Sequence, residues 1–239
     1  MTHQRTVILH YHLFKNAGSS FDEILKKNFG DQWVTREFST PNNTESVVDW
    51  IQSNPNAVAF SSHTMSGLYP EIPGINIISV IFMRNPIKRI VSAYKFERSQ
   101  PEHSSFGSEL AHNSSFEKYV VTRLRKNGDY QCRNFQSEFL STLVNGSVES
   151  KYSLAKRALE KISFVGIVEK FNDSLSDFKT LISAEFPDFQ ALNSHANKSK
   201  LFDFEMSIAL DQLLQEVNRN DQRLWRQELE KLNTKHSIT

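Results

Sequence analysis

Two stretches of the 239-residue chain have the residue types and spacing needed to hold a phosphate-like anion. The first is Lys15-Asn16-Ala17-Gly18-Ser19-Ser20. A turn of small residues between a strand and a helix turns backbone N–H groups outward, and these groups with the helix dipole make an anion site. Gly18 permits close backbone approach, the serine hydroxyls add donors, and Lys15 adds a point charge. The Walker A order is absent, because Lys15 precedes Gly18 instead of following a glycine directly. A Walker lysine and its Ser/Thr serve a magnesium nucleoside triphosphate, so this variant points to a different phosphoryl-like donor. The second stretch is Arg84-Asn85-Pro86-Ile87-Lys88-Arg89-Ile90-Val91-Ser92-Ala93-Tyr94. Arginine suits a bidentate hold on a phosphate, and Arg89 and Ser92 share a helix face. Taken singly, each stretch also reads as an ordinary turn or a solvated, capped helix.

A base would be needed for any transfer to a hydroxyl. His63 follows the apolar run Ala57–Phe60 and Ser61-Ser62, and an unperturbed imidazole titrates near neutrality. His10 and His12 lie two apart on a predicted strand and face one side. Either could assist His63 or touch substrate, with packing as the plainer reading. No Asp/Glu arrangement calls for magnesium and no His/Cys cluster has zinc spacing, so no metal is expected.

The elements that must position these residues follow from pattern. Thr6–Leu13 is β-branched and aromatic and predicts a strand. Phe21, Ile24 and Leu25 then recur at helical spacing up to Gly30. Ala57–Phe60, Ile75–Met83 and Ser163–Val168 read as further buried strands; the long apolar run before Arg84 suits a central strand covered on both faces. Asn85 fits an N-cap and Pro86 the first helical position. Helices are expected around Phe116–Leu124, Phe135–Leu143, Ser153–Ile162 and Ser174–Phe186, and over Phe204–Leu232 with a break near Asn218–Asn220. Ser99–Ser115 is Ser/His/Gly-rich and reads as a 17-residue loop inserted on the substrate side. Strands alternating with helices predict an α/β three-layer fold with a central parallel sheet flanked by helices, P-loop-NTPase-like, as a single domain over 1–239.

Composition narrows the function classes. Lys plus Arg is 28 against 27 for Asp plus Glu, a net charge of +1, which disfavours a nucleic-acid partner. Hydrophobic residues make up 38% with 18 Phe, a globular composition. One cysteine, Cys132, excludes an intrachain disulfide. No apolar run is long enough to span a bilayer and no signal region leads the chain, so a cytoplasmic protein is expected. Arg123, Arg125, Lys126 and Arg133 form a local basic cluster that fits an anionic saccharide or a solvated helix face.

Together the two anion-binding stretches resemble the cofactor motifs of sulfotransferases that use 3′-phosphoadenosine 5′-phosphosulfate (PAPS). The surrounding pattern, including Gly166–Leu181 and His195–Ser199, is most similar to the carbohydrate branch containing heparan sulfate 2-O-sulfotransferase and its bacterial relatives. The resemblance implies that Lys15 neutralises the leaving phosphate and that Asn16, Ala17, Gly18, Ser19 and Ser20 bind the 5′-phosphate. It implies that Arg84 and Ser92 bind the 3′-phosphate, that Asn197, Lys198 and Ser199 close over the cofactor, and that His63 is the general base. Asn85 stands where many members have Asp; Asn134 and Gln136 resemble recurring family residues without an assigned role. The implied product pair is PAP and a sulfated hydroxyl compound, the acceptor being a saccharide or glycolipid. The alternatives are a P-loop-like nucleotide kinase, disfavoured by the missing Walker lysine, and a non-catalytic PAP-binding protein.

Overall fold

The structure is a computed structural model that describes residues 5–191 and 206–237. Five parallel strands form one sheet in the order β2-β3-β1-β4-β5, where β1 is Arg5–Tyr11, β2 Trp33–Thr35, β3 Ala59–Ser62, β4 Ile75–Met83 and β5 Phe164–Ile167. Helices cover both faces, so the α/β three-layer arrangement with a central parallel sheet stands as expected. Alternation along β1 divides the core. Val7, Leu9 and Tyr11 point into a cluster shared with α2 (Thr44–Gln52), α6 (Phe135–Leu140), α7 (Lys151–Lys161) and α10 (Arg219–Ser237). Ile8 points the other way, into a cluster built from Phe21, Ile24 and Leu25 of α1 (Gly18–Phe29) and Leu175, Phe178 and Ile182 of α8 (Phe171–Ile182). The continuous burial of Ile78–Met83 follows from a central strand packed on both sides.

A third cluster stands on α3 (Pro86–Ser99), where Ile87, Ile90 and Tyr94 pack against α4 (Phe106–His112), α5 (Phe116–Arg125) and α9 (Ile208–Val217). Here the expected 17-residue loop is corrected. Residues 102–104 form a 3-10 turn and α4 a helix, opened by a reciprocal cap in which Ser108 N–H donates to Ser105 Oγ and Ser105 N–H donates to Ser108 Oγ. Serines that read as loop-formers are therefore capping a helix, whose Ala111 is buried against α3 and α5. The short β2 and α2 were not anticipated: β2 has only three residues, whereas Val47, Trp50 and Ile51 of α2 do recur at helical spacing. The break between α9 and α10 falls at Asn218, whose side chain donates to the carbonyls of Leu214 and Cys132. Burial pushes the Cys132 thiol up to about 12, so it is no nucleophile. No described helix is long and apolar enough to cross a membrane.

Candidate functional site

Three neighbouring strands deliver residues to one edge of the sheet. Lys15 follows the carboxyl end of β1, His63 that of β3 and Arg84 that of β4, the edge where open parallel sheets bind ligands. After β1 the backbone takes left-handed dihedrals at Lys15 (φ 64) and at Ala17 (φ 60), the latter capping α1 without any side-chain cap. The amides of Ala17, Gly18 and Ser19 have no acceptor among the described residues, while those of Ser20 and Phe21 turn back to the Ala17 carbonyl. A helix opened in this way presents free donors and its positive dipole end to whatever lies above it.

Arg84 is tied to the same turn. Its Nη1 donates to the Lys15 carbonyl at 2.8 Å, leaving its buried Nε without a partner. Burial, opposed by Glu169, lowers the guanidinium's pKa from its ordinary value. Burial and then the charge of Arg84 likewise lower the Lys15 ammonium, which lies 4.3 Å from the Phe96 ring. Two partly desolvated cations beside open amides and an orphaned guanidinium N–H are chemically suited to anionic groups such as phosphates or a phosphosulfate. Ser92 lies half-buried on α3; Ser19 is exposed and Ser20 half-buried at the start of α1.

Asn16 turns inward. Its amide donates to the Phe82 carbonyl (2.7 Å) and to Gln136 Oε1 (2.8 Å), and its own N–H goes to Leu13 O, so it pins the turn to β4. Gln136 is the hub: Oε1 also accepts from the Arg84 N–H, and Nε2 donates to the Arg84 carbonyl, both at 2.9 Å. Asp221 on α10 holds Gln136 in turn by accepting the amides of Gln136 (2.9 Å) and Ser137 (2.7 Å). Asn85 caps α3 through bonds from the Ile87 and Lys88 amides, and its own N–H donates to Glu169. Arg89 is fully buried, stacked on Phe135 and bonded to the Gln131 carbonyl, and so faces away from solvent.

His63 is half-exposed. Its Nδ1 lies 2.7 Å from Glu37 Oε1, and Glu37 also accepts from Thr64 Oγ1 at 2.8 Å. Burial opposes ionisation of Glu37, but these bonds from His63 and Thr64 hold its carboxyl below the usual range. The His12 ring stacks on His63, centroids 3.8 Å apart. His10 and His12 each bring Nδ1 within 2.8 Å of one oxygen of Asp22, and these three groups are a set that could also hold a metal ion.

The sequence reading did not single out Glu37, Asp22, Asp221 or Glu169. Asp22 carried the one available signal, a carboxylate on the second turn of the helix that must cover the face bearing His10 and His12. Within the basic cluster Arg123 is buried between Glu97 (2.7 Å) and Asp129 (2.8 Å), whereas Arg125, Lys126 and Arg133 are exposed. Asn197, Lys198 and Ser199 lie outside the described residues.

The fold and site define a parallel α/β sheet whose carboxyl edge carries a turn of unpaired amides and a flanking arginine. Residues 1–235 match the profile of the sulfotransferase family, and the chain belongs to that family. It is 35% identical over 240 residues to an uncharacterized protein of Archaeoglobus fulgidus, covering 92% of this chain and 95% of that one. It is also similar to the crystal structure of a sulfotransferase from Alicyclobacillus acidocaldarius, at 16% identity and TM-score 0.46, over 95% of this chain and 96% of that one.

Proposed function

We propose that the protein transfers a sulfuryl group from PAPS to a hydroxyl of a saccharide or glycolipid. Membership of the sulfotransferase family supports sulfuryl transfer over the nucleotide-kinase alternative. The observation that carries the donor assignment is the orphaned Arg84 Nε beside Lys15 and the open amides of Ala17, Gly18 and Ser19. When bound, PAPS supplies an activated sulfuryl group whose leaving group is PAP. Those amides, with the hydroxyls of Ser19 and Ser20, hold the 5′-phosphate end, and Asn16 keeps the turn in place. Lys15 neutralises the charge that grows on the leaving phosphate oxygen. Arg84 and Ser92 take the 3′-phosphate, the group that separates PAPS from ATP.

His63 removes the acceptor's proton. With Nδ1–H donated to Glu37, its Nε2 carries the lone pair that receives the hydroxyl proton as the oxygen attacks sulfur. The new O–S bond forms as the S–O bond to the 5′-phosphate breaks, and the proton ends on His63. None of these steps requires a metal, and the working place is the cytoplasm.

Incubation with ³⁵S-labelled PAPS and a panel of saccharides and glycolipids in EDTA tests this reading. Label should appear on a hydroxyl of at least one acceptor. A folded protein that binds PAP yet labels nothing would be a non-catalytic binding protein, and the transfer reading would be wrong.

A further inference from the structure

His63 has no rigid support of its own. Its side chain is 52% exposed and its partner Glu37 51%, so the single Glu37 bond sets which nitrogen faces outward but leaves the ring plane free to swing. The flat surface against it is His12, whose ring is only 6% exposed and lies 3.8 Å away, tilted by 32°.

His12 is itself fixed from two sides. On one side lies Gly18, whose missing side chain makes room, since a Cβ there would run into the His12 ring. At its edge, Nδ1 is 2.8 Å from Asp22 Oδ2, its one hydrogen-bond partner among the described residues. Asp22 Oδ1 is anchored to His10 Nδ1 at 2.8 Å, and His10 also has Ser61 Oγ at 3.2 Å. Burial opposes ionisation of Asp22, but the two imidazole bonds hold its carboxyl far below the usual range. It is therefore an acceptor for both Nδ1–H groups. Asp22 caps no helix end, standing on the second turn of α1, and a buried carboxylate of this kind is weak support for stability against an apolar side chain. Its geometric effect is to lock one imidazole, which walls a second.

We propose that Asp22 is a positioning residue for His63, acting through the His12 ring. The proposal rests on the sulfuryl-transfer reading for its catalytic consequence only; the ring geometry is independent of it. Partners that orient a ligand without touching substrate contribute about one to two orders of magnitude at metal sites, and a group that fixes the plane of a base acts by the same geometric means.

The test is a double-mutant cycle in the full-length protein. Asp22→Ala removes the only hydrogen-bond partner of the His12 ring among the described residues, while His10 keeps Ser61. It should lower kcat about tenfold or more, leaving acceptor KM and PAP affinity within about twofold. In the His63→Ala background the same change should cost under about twofold more, because its route of action is gone. Equal losses in both backgrounds, or loss of PAP affinity in step with kcat, would overturn the proposal. Should Asp22→Ala not fold, His12→Phe keeps the wall but not the tether and should show the same kcat loss; wild-type kcat would count against the proposal. If the wild type transfers no sulfuryl group, the functional reading fails, and imidazole NMR of ¹⁵N-labelled protein decides the positioning claim separately. The ring signals of His63 should move in Asp22→Ala; unmoved signals would refute it.

Discussion

Lys15 and Arg84 are adjacent cations linked through the Lys15 carbonyl, each depressed in pKa by burial. Such an arrangement is unfavourable until an anion joins it. Arg84→Ala should therefore weaken PAP binding about 10- to 100-fold, the worth of charge-assisted bonds to a phosphate, by calorimetry; unchanged affinity would remove Arg84 from the site. His63→Ala should leave PAP affinity intact and lower kcat by about 10² to 10⁴. Glu37→Gln should act in the same direction but more weakly, since it disturbs only the tautomer and orientation. Steady-state kinetics with the labelled donor check both, and a normal kcat in His63→Ala would eliminate it as base. At this scale the turn from Lys15 to Ser20, Arg84, Ser92 and His63 were legible because their chemistry is local. Glu37 and Asp22 were not, and Gln136 was noted without a role, because each acquires its meaning from a partner on another element, as in the bond from Asn16 to Gln136.

Helix α1 is joined to β1 by the Asp22 carboxylate and helix α6 to α10 by the Asp221 carboxylate. Asp221 stands in for an N-cap that Asn134, in a left-handed conformation, does not supply. Asp221→Ala strands two buried amides and should cost about 2–4 kcal/mol in urea denaturation. Through Gln136 it should also loosen Arg84 and weaken PAP binding; a loss under about 0.5 kcal/mol would contradict this linkage. Asp22 and His12 give the β1–α1 contact a pH dependence of fixed sign. The folded Asp22 carboxyl lies below its unfolded value, so its stabilisation is complete above about pH 4 and is lost as pH falls through the folded value. Burial also lowers His12, against the pull of Asp22, so the unfolded chain takes up that proton first as pH drops below about 6.5. Both act together. Denaturation followed from about pH 4 downward should show a steeper loss for wild type than for Asp22→Ala; parallel curves would show that the carboxyl is not depressed. The long strands and amphipathic helices were readable from their periods, whereas α4 was hidden by the serines that cap it and β2 by its three residues.

For the whole molecule, three adjacent strands of a parallel sheet end at one edge and bring the anion turn, the arginine and the histidine to it. The sheet order itself was not readable, because β3, β1 and β4 are neighbours only through long crossovers. The central claim is that this edge recognises a 3′-phosphate, and calorimetric titration of the purified protein with PAP, ATP and ADP in EDTA tests it most directly. The account predicts PAP binding at least about 100-fold tighter than ATP, a difference of roughly 2.7 kcal/mol. No PAP binding by folded protein, or equal affinity for PAP and ATP, would contradict it.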